Sequence, residues 1–181
     1  MTPNPESLKF VLNRMLMQND SIDIPDRETA KESPIAGALF EFPFVKGVFI
    51  AQNFVTITKE SSYLWEDLIP QLKPFVKEFV ESGKPLINEN MNGASSQEEE
   101  ETDESDDIKK IKELLDNYIK PAVEMDGGAI RFKSFEDGVV TVQLQGSCSG
   151  CPSSSVTLKA GIEGLFQRML PQVKEVIAEE I

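Results

Sequence analysis

The sequence predicts an α+β protein of 181 residues, made of two small α/β domains that are joined by an acidic flexible linker. β-Rich runs and helical apolar stripes occur in both halves of the chain, which favours mixed structure in each half. Between the halves, residues 98–107 carry eight carboxylates in ten positions, and such a run repels itself and stays extended. We therefore predict domains at residues 1–83 and 108–181, with residues 84–107 as the linker.

The first domain opens with residues 8–12, which are compatible with either a strand or the start of a helix. Ser33-Pro34 is typical of a helix start and predicts a short helix after it. Residues 47–51 and 54–58 are β-rich and are separated by Gln52-Asn53, so they predict a hairpin.

A helical apolar stripe follows at residues 64–80 and ends before Gly83. Pro70 and Pro74 fall inside this stripe, and we expect them to bend or break the helix. Trp65 could contact a partner, but a Trp in such a stripe is more often part of the core. The first domain shows no cysteine, histidine or phosphate-binding glycine pattern, so we expect no catalytic site there.

The second domain predicts the element order αββαβ. Asp107, or a residue close to it, is expected to cap the first helix, Pro121 to kink it and Gly127-Gly128 to end it. The apolar residues expected along one face of that helix are Ile108, Ile111, Leu115, Tyr118, Ile119, Ala122 and Met125. Two strands at 129–135 and 139–145 turn at Asp137-Gly138, and a helix from Pro152 precedes a last strand at 173–178.

The charge of the chain restricts its partners. With 18 basic and 31 acidic residues, the formal net charge is −13, and nucleic acid and anionic membrane surfaces should repel it. The most apolar region, residues 36–55, is too interrupted to span a bilayer. The first residues resemble neither a signal peptide nor an Arg-rich transit sequence, and two closely spaced cysteines do not suggest a secreted disulfide framework. These features predict a cytoplasmic protein.

Cys148 and Cys151 are the only two cysteines and are separated by two residues. This spacing puts both sulfurs on one side of a tight loop, where they can hold one metal centre or form a small disulfide. Gly146 and Gly150 give the loop backbone freedom, and the N-terminus of the helix that begins at Pro152 should stabilise thiolate over thiol.

The donor count then becomes informative. A closed tetrahedral site or an iron–sulfur cluster usually needs four soft ligands, whereas this chain supplies two and has no histidine. A second copy of the chain is the simplest completion, with two CxxC pairs around one centre on a two-fold axis. A plain disulfide, a thioredoxin-like redox pair and two inert buried thiols remain open on spacing alone.

The cysteine loop and its surroundings resemble the NifU C-terminal (Nfu) domain of iron–sulfur cluster scaffold and carrier proteins. The resemblance covers about residues 108 to 181 and is carried by Asp126-Gly127-Gly128, residues 139–145, Gly146-Ser147-Cys148-Ser149-Gly150-Cys151-Pro152, residues 153–154, 157–159 and 161–163. Ala129 departs from the pattern, which usually has an acidic residue there. Asp126 could contact the cluster region or a partner, but a helix-ending turn residue is the more common role. More loosely, residues 4–10, 40–48, 53–59 and 65 resemble the Nfu N-terminal domain.

The resemblance implies that a [4Fe-4S] cluster, with a [2Fe-2S] cluster as the alternative, is bridged between Cys148 and Cys151 of two chains, while Gly146 and Gly150 shape the loop. It implies a cluster scaffold or carrier that works as a homodimer, with upstream assembly proteins and apo iron–sulfur clients as partners. No general acid or base lies beside the cysteines in sequence, so we predict a protein that is not an enzyme.

Two other hypotheses use the same cysteines. A thiol–disulfide oxidoreductase would place its CxxC after a parallel strand in a βαβ unit, whereas here the CxxC is expected to follow a hairpin. A zinc-bridged structural dimer has the same ligand count as the cluster-bridged one but would be colourless.

Overall fold

The computed structural model describes residues 2, 4–17, 21–85, 105–148 and 152–180. These residues form two compact units, each with its own sheet and its own apolar core. Helices and sheets occur together in both units, which confirms the predicted α+β class. Most of the predicted linker, residues 86–104, lies outside the described residues, and the domain boundaries stay a prediction.

The first unit contains β1 (Ser7–Val11), β2 (Ser21–Ile24), a 3-10 turn (Thr29–Glu32), α1 (Pro34–Leu39), β3 (Val45–Ala51), β4 (Phe54–Lys59) and α2 (Trp65–Glu81). Its strands form one antiparallel sheet in the order β1–β4–β3–β2. The open choice at residues 8–12 therefore resolves to a strand, and the hairpin at Gln52-Asn53 is confirmed. β2, a strand of four residues, was not predicted from the sequence.

The local sequence predicts the start of α1 correctly, but it does not predict that α2 continues through its prolines. The Ser33 hydroxyl oxygen accepts the Ala36 N–H at 3.4 Å, and Pro34 supplies the first helical residue. In contrast, the prolines were expected to bend or break α2, and the helix runs through Pro70 and Pro74 without a break. Both prolines are exposed, and the backbone carbonyls that they leave unpaired can therefore bond to water.

The first core lies between α2 and one face of the sheet. Every fourth residue of α2 is buried, namely Leu68, Leu72, Val76 and Val80, and these side chains meet alternate residues of β3 and β4. Trp65 packs against this core, and its indole N–H donates to the Pro5 carbonyl oxygen at 2.9 Å. Trp65 is thus a packing residue that fastens the start of the chain to α2.

The second unit contains α3 (Asp106–Leu114), a π-helical turn (Leu115–Ile119), α4 (Lys120–Met125), β5 (Gly128–Glu136), β6 (Val139–Gly146), α5 (Pro152–Met169) and β7 (Glu175–Glu180). The predicted order αββαβ is confirmed if α3, the π turn and α4 are taken as one helical run. The sheet order is β5–β6–β7, with β5 antiparallel and β7 parallel to β6. The hairpin turns at Asp137-Gly138, where both residues have positive φ.

The first helix of this unit is capped close to the predicted residue, and its phase changes partway. Its N-cap is Ser105, two residues before Asp107, so the end of the predicted linker is already helical. A π turn contains about one residue more than an α-helical turn, so it changes which of the following residues face the core. The buried residues of this part of the helix are Leu115, Ile119 and Val123. Tyr118, Ala122 and Met125, which were expected on the buried face, are therefore exposed. This π turn lies just before Pro121, where a kink was predicted.

Candidate functional site

Cys148 lies in the turn between β6 and α5, at the edge of the second core. Gly146, the last residue of β6, has φ +69°, a left-handed backbone that directs the chain away from the sheet. The Cys148 side chain is only 4% exposed and belongs to the buried cluster of this unit. Cys151, the other predicted ligand, lies outside the described residues together with Ser149 and Gly150.

Two consecutive glycines let β5 approach the Cys148 sulfur closely. Gly127 ends α4 with φ +83°, and Gly128 pairs with Gly146 in the sheet. A Cβ placed on Gly128 would lie 2.6 Å from the Gln145 backbone oxygen and 2.8 Å from the Cys148 sulfur. Only glycine therefore fits at residue 128 while Cys148 occupies this position. From the sequence, Gly127-Gly128 was predicted only to end a helix, and the contact with the Cys148 sulfur was not predicted.

Ser147 fastens the cysteine turn to the end of α4. Its side chain is fully buried, and its hydroxyl donates to the Asp126 backbone oxygen. Its N–H donates to the Gly127 backbone oxygen at 3.3 Å. Asp126 is the C-cap of α4, as expected for a helix-ending turn residue. The small residues on both sides of the cysteine were the only sequence signal for these contacts.

The environment of Cys148 favours the neutral thiol. Burial raises the pKa of Cys148 from 9.0 to about 11; the Ser147 hydroxyl opposes this rise and the negative charge of Asp126 adds to it. The expectation that the helix N-terminus holds this cysteine as a thiolate is therefore wrong for the conformation seen here. Desolvation in the core outweighs any favourable dipole, since Cys148 lies among apolar side chains.

The donor set suits a soft metal centre but does not complete one. Thiolate sulfur is the ligand that iron–sulfur clusters and zinc prefer, and the chain has two cysteines and no histidine. Across the described residues, no three His, Cys, Asp or Glu side chains converge closely enough to hold a metal ion. Ligands from a second polypeptide would be needed for four-coordinate sulfur binding.

The strand arrangement removes one argument against thiol–disulfide exchange. β6 is the second strand of a hairpin, but it is also the first strand of a parallel β6–α5–β7 unit. The expectation that the cysteine loop lacks a βαβ context is therefore wrong. A single strand belongs to both motifs because it pairs with different neighbours on its two edges.

Together, the fold and the site define a cysteine-bearing α+β unit that follows a cysteine-free one. The family model described as Scaffold protein Nfu/NifU N terminal matches residues 1–83, and the model described as NifU-like domain matches residues 111–177. Together these two matches span most of the sequence.

Full-length relatives agree with these models. The human NFU1 iron-sulfur cluster scaffold homolog, mitochondrial, is 42% identical over 97% of this chain and 68% of its own length. NifU-like protein 5, mitochondrial, of Arabidopsis thaliana is 41% identical over 98% of this chain and 66% of its own. The chain belongs to the Nfu/NifU family and spans about two thirds of the length of these two relatives.

A solution NMR structure of a NifU-like protein from Saccharomyces cerevisiae is 27% identical and covers 49% of this chain and 80% of its own, with a TM-score of 0.44. At that score, the likeness adds nothing to the family assignment.

The relatives correct the expected location. Both curated relatives carry mitochondrial in their names, which contradicts the prediction of a cytoplasmic protein. That prediction used charge, cysteine count and the first residues; charge and cysteine count do not distinguish one reducing compartment from another. Separately, none of the helices in the described ranges has the length and apolar character needed to cross a membrane.

Proposed function

We propose that the protein is an iron–sulfur cluster scaffold or carrier that holds a [4Fe-4S] cluster between Cys148 and Cys151 of two chains and delivers it to apo-proteins. Membership of the Nfu/NifU family and the names of its relatives support the iron–sulfur cargo. The observation that carries the sharing is the donor count, because two cysteines without a histidine are half of a four-sulfur set. The mitochondrial names favour action in that organelle.

Labile binding is the expected consequence of a shared site. Cys148 must lose its proton to bind iron, and in the free chain burial opposes that loss. Half of the ligands also leave when the two chains separate, so an acceptor with its own cysteines can take the cluster by stepwise thiolate exchange. Upstream assembly proteins and apo iron–sulfur proteins are the partners that this role requires, and the role needs no catalytic residue.

Anaerobic reconstitution with iron and sulfide tests the proposal. The wild-type protein should turn brown and hold roughly one four-iron cluster per dimer, whereas Cys148→Ser and Cys151→Ser should each lose it. A double change, Cys148→Ser with Ser61→Cys, is the matched control, since it keeps two thiols per chain but removes the CxxC spacing. Full cluster occupancy in Cys148→Ser or in the double variant would contradict the proposal.

Thiol–disulfide exchange is the second candidate, because the parallel β6–α5–β7 unit supplies the context that it was expected to lack. A buried thiol with a raised pKa is a poor nucleophile at neutral pH, which opposes this candidate. Reduction of insulin disulfides by metal-free protein, with no reduction by Cys148→Ser, would support exchange.

A colourless protein that binds zinc and stays dimeric in air would support a zinc-bridged dimer.

A further inference from the structure

An exposed apolar stripe runs along the helical segment that leads to the cysteine turn. We call Tyr118, Ala122 and Met125 the Met125 stripe. Met125 is 78% exposed and Tyr118 is 59% exposed, which makes Met125 the most exposed large apolar residue of the described part of the chain. Single exposed apolar residues are ordinary, but several in a row on one helix face are typical of an interaction surface.

The backbone, and not the sequence period, puts this stripe on the surface. A regular helix would place these residues with Leu115 on the buried face. The π turn at Leu115–Ile119 changes which residues after it face the core. The buried row therefore continues through Val123, and the Met125 stripe faces solvent. π turns of this kind often occur at functional sites.

A second exposed apolar residue lies on the other side of the cysteine turn. Val156 is 68% exposed and lies in the first turns of α5, which begins four residues after Cys148. Met125 directly precedes Asp126, whose backbone oxygen accepts the hydroxyl of Ser147. The most exposed large apolar side chain of the described residues, Met125, therefore adjoins a residue bonded to the cysteine turn, and the next most exposed, Val156, lies in the helix that follows Cys148 in the chain.

We propose that the Met125 stripe and Val156 form the surface on which a second copy of this chain docks, and this inference rests on the proposed function. The cysteine site is incomplete in one chain, so a second sulfur-bearing polypeptide must approach this turn. A two-fold interface brings the same patch of both copies together, and an apolar patch is complementary to itself.

Charge permits a second copy as the occupant. Residues 108–181 carry nine basic and ten acidic groups, so this unit meets its twin with little net repulsion despite the charge of −13 on the whole chain. Glu124 and Asp126 flank Met125 in sequence, while the Lys120 ammonium and the Asp116 carboxylate pair at 2.8 Å within the chain. Nothing in that pair selects a partner of one charge sign.

Met125→Gln and Val156→Gln test this surface, with Met169→Gln as the matched control. Met169 is also an exposed methionine at the last residue of a helix, 52% exposed, but it lies at the far end of α5 from the cysteine turn. Anaerobic sedimentation of the reconstituted proteins over a dilution series gives the dimer dissociation constant. We expect each of the first two changes to weaken the dimer about tenfold or more, and Met169→Gln to leave it unchanged.

The outcomes separate this inference from the proposed function. A wild-type protein that takes up no cluster overturns the proposed function itself. If the wild-type protein forms a cluster-bound dimer and Met125→Gln and Val156→Gln have the same dimer dissociation constant as the wild type, only the docking surface is overturned. If those variants dimerise normally but deliver the cluster more slowly to an apo-ferredoxin, the surface faces an acceptor and the inference is also overturned.

Discussion

The two units differ in where their backbone departs from regular structure. In the first unit, the described positive-φ residues are Gln52 in a hairpin turn and Gly83 just after α2. In the second unit, Gly127 and Gly146 have positive φ close to Cys148, in addition to the hairpin turn. Two of the positive-φ residues of the second unit thus lie close to Cys148. A tight approach of chain segments to a sulfur needs conformations that ordinary residues resist.

The helices of the two units show the same contrast. α2 contains two prolines and stays one continuous helix. The helical run of the second unit contains one proline, Pro121, and widens into a π turn just before it. A proline ring clashes with the carbonyl four residues earlier, and for Pro121 that residue, Asn117, lies inside the π turn. The same residue type therefore leaves one helix intact and re-phases the other.

The largest expected effect belongs to the core of the first unit. Leu72→Ala removes a fully buried side chain from α2 and should cost about 3 kcal/mol of unfolding free energy in that unit. Trp65 is the only tryptophan, so its fluorescence during urea unfolding reports this unit. Lys73→Ala, an exposed neighbour, is the control and should change little. If Leu72→Ala also lowers cluster uptake, the first unit is not independent of the second, which would contradict this prediction.

A slightly smaller effect is expected beside the cysteine. Gly128→Ala would put a methyl group 2.6 Å from the Gln145 backbone oxygen, and the backbone must shift at a cost of about 2 to 3 kcal/mol. Gly161→Ala is the matched control, because the added methyl group meets nothing within 4 Å and should stabilise α5 by about 1 kcal/mol.

Two spectroscopic signals separate these changes. Far-UV circular dichroism should show the loss in Gly128→Ala while the Trp65 transition stays in place. Equal stability of the two glycine variants would mean that the close approach of β5 to the sulfur is absent in solution.

The smallest expected effect is a dependence of stability on pH. Below pH 9 the Cys148 thiol is neutral in both states, whereas above pH 9 the unfolded chain loses this proton first, because the folded pKa is about 11. Stability should therefore fall by about 2 kcal/mol as the pH rises from 9 to 11, since each pKa unit corresponds to about 1.4 kcal/mol.

Subtracting the curve of Cys148→Ala under the same reducing conditions isolates this contribution from the lysines and tyrosines that titrate nearby. Parallel curves for the two proteins would show that Cys148 is solvated in the folded chain.

The sequence by itself determined the features that depend on neighbouring residues. Ser33-Pro34 starts a helix because its side-chain oxygen and fixed φ act within one turn, and Asp137-Gly138 turns a hairpin because both residues accept positive φ. The shortage of sulfur donors is likewise a matter of counting. Such features need no knowledge of which segments meet later.

Tertiary structure decided the features that depend on distant segments. Cys148 becomes a neutral buried thiol because β5, the end of α4 and the core of the unit close around it, although its sequence neighbours favour a thiolate. The parallel pairing of β7 arises in the same way, from a strand partner that local sequence does not encode. Desolvation and strand pairing are set by whichever atoms fill the surrounding space, and those atoms come from elsewhere in the chain.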